Sequence, residues 1–277
     1  MNTQKTWFIT GASKGLGLSF VKQLLALGYN VAATSRNAAD VSAKITSPQL
    51  LPLTVDITSD DSVAAAIDQT VKHFGHIDVV VNNAGYGLLG SLEELSDAEV
   101  RDNFTVNVFG SLNVIRKAMP YLRAQGSGHI FNISSIGGYS SAFPGWGIYC
   151  ATKFAVQGFT GSLAAETKDL GINVTGVYPG YFRTDFLTSG SIATAKQPLD
   201  AYAAVRASEE VHQNEINGNQ PGDPEKAVAA MIRIANEPNP PVHLFLGQDA
   251  YDMANQQMAA IKGELETWKE LTTTTGF

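Results

Sequence analysis

Short apolar runs alternate with longer stretches of helical period along this chain. Trp7-Phe8-Ile9-Thr10 has the unbroken apolar character of a strand buried on both faces. Val31 to Thr34, Leu50 to Val55, Ile77 to Val81, His129 to Ile133, Asn173 to Tyr178 and Val242 to Leu246 repeat that character. After the first run, Phe20, Val21, Leu24 and Leu25 fall on one helical face. Ser62 to Phe74, Asp97 to Arg123 and Tyr149 to Leu170 read as further helices. Strands alternating with helices predict βαβ units. The expected fold is α/β: a doubly wound parallel sheet of about seven strands, helices on both faces, in a single domain over residues 1–277.

Two regions break the rhythm. About forty residues separate Tyr178 from a helix starting near Pro224, far beyond the roughly 2–6 residues usual in α/β connections. The segment 181–222 is therefore expected to form a lid. Beyond Gly247, Met253, Met258, Ile261, Leu265 and Trp268 read as a helical tail over 248–277 that frays from Thr272 to Gly276. Its apolar side suits a sheet edge or a second subunit.

Composition narrows the function. Of 277 residues, 44% are apolar, which excludes a disordered chain, and the net charge of −7 argues against nucleic acid or an anionic membrane as partner. One cysteine, Cys150, excludes an internal disulfide and a cysteine-based zinc site, and beside the catalytic candidate below it reads as a packing residue. No metal is expected; His73 and His76 suit a helix C-terminus without one. The start, Met1-Asn2-Thr3-Gln4-Lys5, leads into too short an apolar run for a signal peptide, and no run reaches membrane-spanning length. A soluble cytoplasmic protein is expected.

Thr10-Gly11-Ala12-Ser13-Lys14-Gly15-Leu16-Gly17 joins the first strand to the first helix. Glycines let the backbone approach a pyrophosphate, and the free N–H groups of the helix start hold it. Gly11 to Gly15 also spells a nucleophile elbow around Ser13, but only twelve residues precede Ser13. That leaves no room for the strand and loop supplying a second oxyanion donor. No Gly-Lys-Ser/Thr follows, so a P-loop is excluded. A methyltransferase with this turn usually wants an acidic residue after the second strand, as an NAD-binding site does; here stands Arg36. An arginine there suits a ribose 2′-phosphate, and Lys14 can reach the same group. Both can also be solvated surface cations, but together they favour NADP(H) over NAD(H).

Tyr149 and Lys153 lie four residues apart, hence on one helix face. An ammonium beside a phenol stabilises the phenolate and makes tyrosine a usable acid or base. Around that pair the sequence resembles the short-chain dehydrogenase/reductase family from about Lys5 to Gly247. The family's motifs recur in order: the glycine turn from Thr10 to Gly17, Asp56 after the third strand, Asn82-Asn83-Ala84-Gly85 after the fourth, and Asn107 within a helix. Then come Ser134-Ser135 at the end of the fifth strand, Tyr149 with Lys153, and Pro179-Gly180 with Thr184 beyond. Ser135 sits fourteen residues before Tyr149, where the family often shows thirteen, so Ser134 stays an alternative.

The resemblance implies a Rossmann-type oxidoreductase interconverting a carbonyl and an alcohol with NADP(H). Tyr149 would donate the proton, Ser135 would bind the substrate oxygen, Lys153 would lower the Tyr149 pKa and bind ribose, and Asn107 would disturb its own helix. Gly11, Ser13, Lys14, Gly15, Leu16, Gly17, Arg36, Asp56, Ile57, Asn83, Ala84, Gly85, Pro179, Gly180 and Thr184, with Tyr149 and Lys153, would hold the cofactor. The lid implies an apolar, medium-sized substrate, and the long helices imply a homodimer or homotetramer. A regulator that binds NADP(H) without turnover is the competing reading; it would have little need of all four catalytic positions.

Overall fold

The computed structural model of the protein describes residues 4–188 and 190–277. Met1 to Thr3, where the expectation of no leader begins, and Ser189, within the expected lid, lie outside the described residues. In chain order the strands are β1 (Thr6–Ile9), β2 (Asn30–Ser35), β3 (Leu50–Thr54), β4 (Val79–Asn82), β5 (Gly87–Leu89), β6 (Gly128–Ile133), β7 (Ile172–Pro179), β8 (Ile192–Thr194) and β9 (His243–Leu246). Seven form one sheet in the order β3-β2-β1-β4-β6-β7-β9, parallel throughout. They coincide with the seven apolar runs of the sequence. Pro52 is tolerated within β3 because β3 is an edge strand.

The helices are α1 (Gly15–Ala26), α2 (Ala39–Ser42), α3 (Asp60–Phe74), α4 (Asp97–Phe104), α5 (Gly110–Gln125), α6 (Gly147–Thr167), α7 (Ala203–Glu210), α8 (Pro224–Ile234), α9 (Gln248–Thr267) and α10 (Lys269–Thr273). Alternate residues of each strand serve opposite faces. Trp7, Ile9, Val79 and Val81 pack with Phe20 and Leu24 of α1 and Val228 and Met231 of α8. Phe8 and Val80 pack with Ile67 of α3, Ala118 and Leu122 of α5 and Leu163 of α6. Two covered faces explain why the strands read as unbroken apolar runs. Local signals set the helix ends: Ser96 and Glu99 form a capping box on α4, Asp223 caps α8 ahead of Pro224, and Gly75 ends α3 at φ 88°.

The chain runs outward one way from β1 and the other way from β4, so a crevice opens at the C-terminal ends of these two neighbours. The helix expected from Asp97 to Arg123 is interrupted by a π-turn, Thr105–Phe109, where the Gly110 N–H reaches back to the Thr105 carbonyl. The expected lid holds a 3-10 turn, β8, α7 and a second π-turn, Val211–Ile216. Its attachments to the body include two that the sequence pattern did not reveal. β8 pairs with β5. Glu94, its carboxylate wholly buried, accepts from Leu199 N at 2.7 Å and from the Arg206 guanidinium at 3.0 Å. The tail helix is continuous only to Thr267 and breaks before α10. No helix among the described residues is long and apolar enough to cross a membrane.

Candidate active site

The glycine turn closes over the end of β1 through Thr10 and Asn83. The Thr10 hydroxyl accepts from the N–H groups of Asn83 and Ala84, both at 3.0 Å, and the Asn83 amide donates to the carbonyls of Thr10 and Gly11 at 2.8 and 3.1 Å. Asn83 thus ties the β4 end to the turn. Gly11 and Gly15 take φ of 65° and 53°, which disfavours any other residue, and a Cβ on Gly17 would lie 2.2 Å from the Gly11 carbonyl. No side chain caps the start of α1. Its N–H groups face a cavity of about 720 Å³ whose wall includes Ser13, Leu16, Arg36, Asp56 and Ile57. An uncapped helix start behind glycines held by positive φ or close packing fits a dinucleotide pyrophosphate. Lys14 and Arg36 both line this cavity; the Lys14 ammonium donates to the Gly190 carbonyl at 2.6 Å and keeps two further protons. Lys44, unmarked by any motif, donates to the Ser13 carbonyl at 2.7 Å.

The same cavity reaches Ser135, Tyr149 and Lys153. Tyr149 and Lys153 are buried on the first turns of α6, and the Lys153 ammonium sits 5.7 Å from the Tyr149 ring centre. Lys153 Nζ donates to the Ile133 carbonyl at 2.9 Å, and burial pushes its pKa down to about 8. Burial also pushes the Tyr149 phenol up, the nearby Ser135 hydroxyl opposing it. The lowering of the Tyr149 pKa expected from Lys153 is therefore not the net effect in the free protein. Desolvation dominates, and the phenol is protonated at neutral pH.

The two serines separate cleanly. Ser134 Oγ is spent on the Lys153 carbonyl at 2.9 Å, in a fit so close that a Cβ on Gly138 would lie 2.3 Å from it. Ser135 Oγ accepts from Gly137 N at 3.0 Å, which leaves its proton free beside Tyr149. Asn107, in the first π-turn, donates to the Tyr86 carbonyl at 2.9 Å and to Thr152 Oγ1 at 3.1 Å, and accepts from Tyr86 N at 3.0 Å. A Cβ on Gly85 would lie 3.0 Å from Asn107 Oδ1 and 3.6 Å from Lys153 Nζ, so Gly85 is the gap between them.

Around Tyr149 the wall turns apolar. Leu89, Trp146, Cys150, Leu187 and Val205 pack with it, joined by Phe143 and Phe186. Cys150 is buried in that cluster, its thiol pushed up to about 11 by burial. Pro179 and Gly180 lead β7 into the lid, and Thr184 approaches Gly15. Sequence reasoning missed Asp249, whose carboxylate accepts from Tyr181 N at 2.6 Å and would clash with any Cβ on Gly180. It also missed His212 and Gln220, both buried on the cavity wall. Neither lies in a motif or on an apolar period, so the sequence carried no signal for them.

A doubly wound sheet with a glycine cradle at its switch point and a buried Tyr–Lys pair beside it defines a dinucleotide-dependent oxidoreductase. Residues 5–193 match the family model for short chain dehydrogenase. The chain is 34% identical over 271 residues to Oxidoreductase BOA17 of Botryotinia fuckeliana, covering 96% of this chain and 97% of that one. It is 36% identical over 241 residues to 3-ketodihydrosphingosine reductase of Bacteroides thetaiotaomicron, 86% of each chain. A short-chain dehydrogenase from Streptomyces avermitilis superposes with a TM-score of 0.91 at 32% identity, over 99% of this chain and 100% of that one. ElxO with NADP bound superposes at 0.71 and 28% identity, and 3-ketoacyl-(acyl-carrier-protein) reductase from Brucella melitensis complexed with NADH at 0.73 and 25%, each over 87% of this chain and 96% of the other. The chain belongs to the short-chain dehydrogenase/reductase family, and its cofactor class is the nicotinamide dinucleotides.

Proposed function

We propose that the protein is an NADP(H)-dependent reductase of apolar, medium-sized ketones or aldehydes, with Asn107, Ser135, Tyr149 and Lys153 as its site. The observation that carries this reading is the buried Tyr149–Lys153 pair, with Ser135 alongside, at the junction of the glycine cradle and an apolar chamber. When bound, the reduced nicotinamide supplies a hydride. Tyr149 Oη holds the proton that the carbonyl oxygen takes up, and its raised pKa keeps that proton in place until the oxygen becomes basic. Ser135 Oγ–H, its oxygen already accepting from Gly137 N, donates to the same oxygen. Lys153 keeps two protons beyond the one on the Ile133 carbonyl, enough to hold a ribose hydroxyl. Asn107 positions the helix that carries Tyr149.

Preference for NADP(H) is supported by Arg36 and Lys14, both on the cavity wall. The apolar chamber beneath 181–222 supports that segment as a substrate lid, and the reductase of Bacteroides thetaiotaomicron is named for a keto substrate. Phe109 on the turn before α5, Tyr121 on α5 and Phe154 on α6 are exposed, which supports a homodimer through these helices. NADPH oxidation followed against ketones and aldehydes of rising apolar bulk tests the function; no turnover across the series contradicts it.

A further inference from the structure

Within the apolar chamber stands a polar pair, the half-buried Tyr181 and the buried His212, that no motif explains. Tyr181 Oη lies 2.9 Å from His212 Nε2, and both residues line the cavity. The Trp146 ring lies against both His212, at 4.9 Å between ring centres, and Tyr149, at 5.5 Å. His212 is placed by the second π-turn, Val211–Ile216, as Asn107 is by the first. Such turns cost a regular hydrogen bond and recur where a side chain must be aimed.

The hydrogen bonds fix which atoms carry protons. His212 Nδ1 stands 2.7 Å from the Ser208 carbonyl, which can only accept, so Nδ1 carries the hydrogen. Nε2 is then the acceptor, and the Tyr181 hydroxyl donates to it. With its proton committed, the Tyr181 oxygen offers only lone pairs to whatever fills the chamber. It calls for a donor. The carboxylates on the cavity wall, Asp56 and Asp185, are both solvent-exposed, and the half-buried Asp249, which is not on that wall, is already engaged by Tyr181 N at 2.6 Å, so no carboxylate of the wall would receive an ammonium beside the pair. The matching donor is a neutral hydroxyl.

We propose that Tyr181, held by His212 as a positioning residue, is a second recognition point for a substrate hydroxyl set away from the reacting carbonyl, so that the preferred substrates are hydroxyketones. This rests on the carbonyl-reduction reading above and names the substrate class within it. An apolar body is held by the chamber wall, and one hydroxyl fixes which carbon reaches Tyr149. A site built to pair with a hydroxyl discriminates strongly against analogues that lack it, because its own polar atoms are then left unpaired.

The test walks a hydroxyl along one chain. Octan-2-one and the hydroxyoctan-2-ones substituted from C4 to C8 are compared for kcat/KM with NADPH, and for binding to the enzyme–NADP⁺ complex by tryptophan fluorescence. The expected result is a preference of about tenfold or more over octan-2-one at one or two adjacent positions, and little elsewhere. Tyr181→Phe should remove that position dependence. His212→Leu frees the Tyr181 proton and should narrow the gap between the best hydroxyketone and its methyl ether, a signature that loss of packing would not give. If either variant fails to fold, the wild-type position dependence and hydroxyl-over-ether preference decide alone. Turnover of every ketone without position dependence overturns the hydroxyl site and leaves carbonyl reduction standing. Position-dependent binding without turnover of any ketone does the reverse. Neither turnover nor position-dependent binding overturns both.

Discussion

The Asn107 amide donates to Thr152 Oγ1 at 3.1 Å, and the Thr152 hydroxyl donates in turn to the Tyr149 carbonyl at 2.7 Å. This relay joins the π-turn before α5 to the first turn of α6, so the position of Tyr149 depends on a neighbouring helix. Thr152→Val keeps shape and removes both bonds. It should destabilise the fold by about 1–3 kcal/mol in urea titration, the usual cost of leaving buried polar groups unpaired. It should also lower kcat more than it raises the KM for NADPH; an unchanged kcat would show that the relay does not position Tyr149.

Lys153 sets function against stability. Burial lowers its pKa from 10.5 to about 8, so the unfolded chain binds more protons between those values and stability rises with pH through that window. Below about pH 8 the full cost of the buried charge is present, on the order of 3 kcal/mol. Lys153→Met should therefore stabilise the cofactor-free protein at pH 7, less the lost bond to Ile133, and the gain should vanish by pH 10.5 while activity is lost throughout. In the wild type, reduction should slow above about pH 8 as the ammonium discharges. A destabilised Lys153→Met at pH 7 would show that the charge is better accommodated than its burial implies.

His129 should make the fold acid-sensitive. It is buried, stacked on Phe131 at 4.0 Å and 2.9 Å from Thr175 Oγ1, and burial holds its pKa at about 3 instead of 6.5. Between those values only the unfolded chain binds the proton, so stability is complete above pH 6.5 and falls as pH drops. The slope approaches about 1.4 kcal/mol per pH unit. His129→Gln should lower stability at pH 7.5 and flatten this slope in urea titrations down to pH 4.5. Equal slopes would assign acid sensitivity to other groups.

Cofactor choice is assigned to Arg36 and Lys14, both on the cavity wall. Arg36→Asp should cut the NADPH-to-NADH ratio of kcat/KM by about tenfold or more, and Lys14→Ala, whose ammonium also donates to the Gly190 carbonyl, should lower it less, since charge-assisted bonds to a phosphate are typically about 1.5–3 kcal/mol each. A larger effect from Lys14 than from Arg36 would reverse that ranking.

The sheet was legible because its strands are covered on both faces: Trp7 to Ile9 and Val79 to Val81 must be apolar at every position. The glycine turn was legible because Gly11 and Gly15 take positive φ and Gly17 has no room for a Cβ. Features set by single long-range contacts were not. β5 and β8 are three residues each, too short for a period, and exist through one another. Glu94 reads as a surface carboxylate until Leu199 and Arg206, more than a hundred residues later, fold onto it. The bond from Lys14 to the Gly190 carbonyl depends on how the segment 181–222 returns over the site. His212 owes its place to a π-turn, which has no compositional mark.

The proton held by Tyr149 is the centre of the account, and Tyr149→Phe tests it most directly. The substitution deletes one hydroxyl and keeps the ring that packs on Trp146 and Phe186. Hydride transfer from NADPH to a ketone substrate should be followed in a single turnover, so that product release does not mask it, with NADPH affinity measured alongside. The expected result is a loss of roughly 10²–10⁴ in rate, the usual worth of general acid catalysis, with NADPH binding retained. A variant that keeps more than about a tenth of the wild-type rate would contradict the role of Tyr149 as the proton donor.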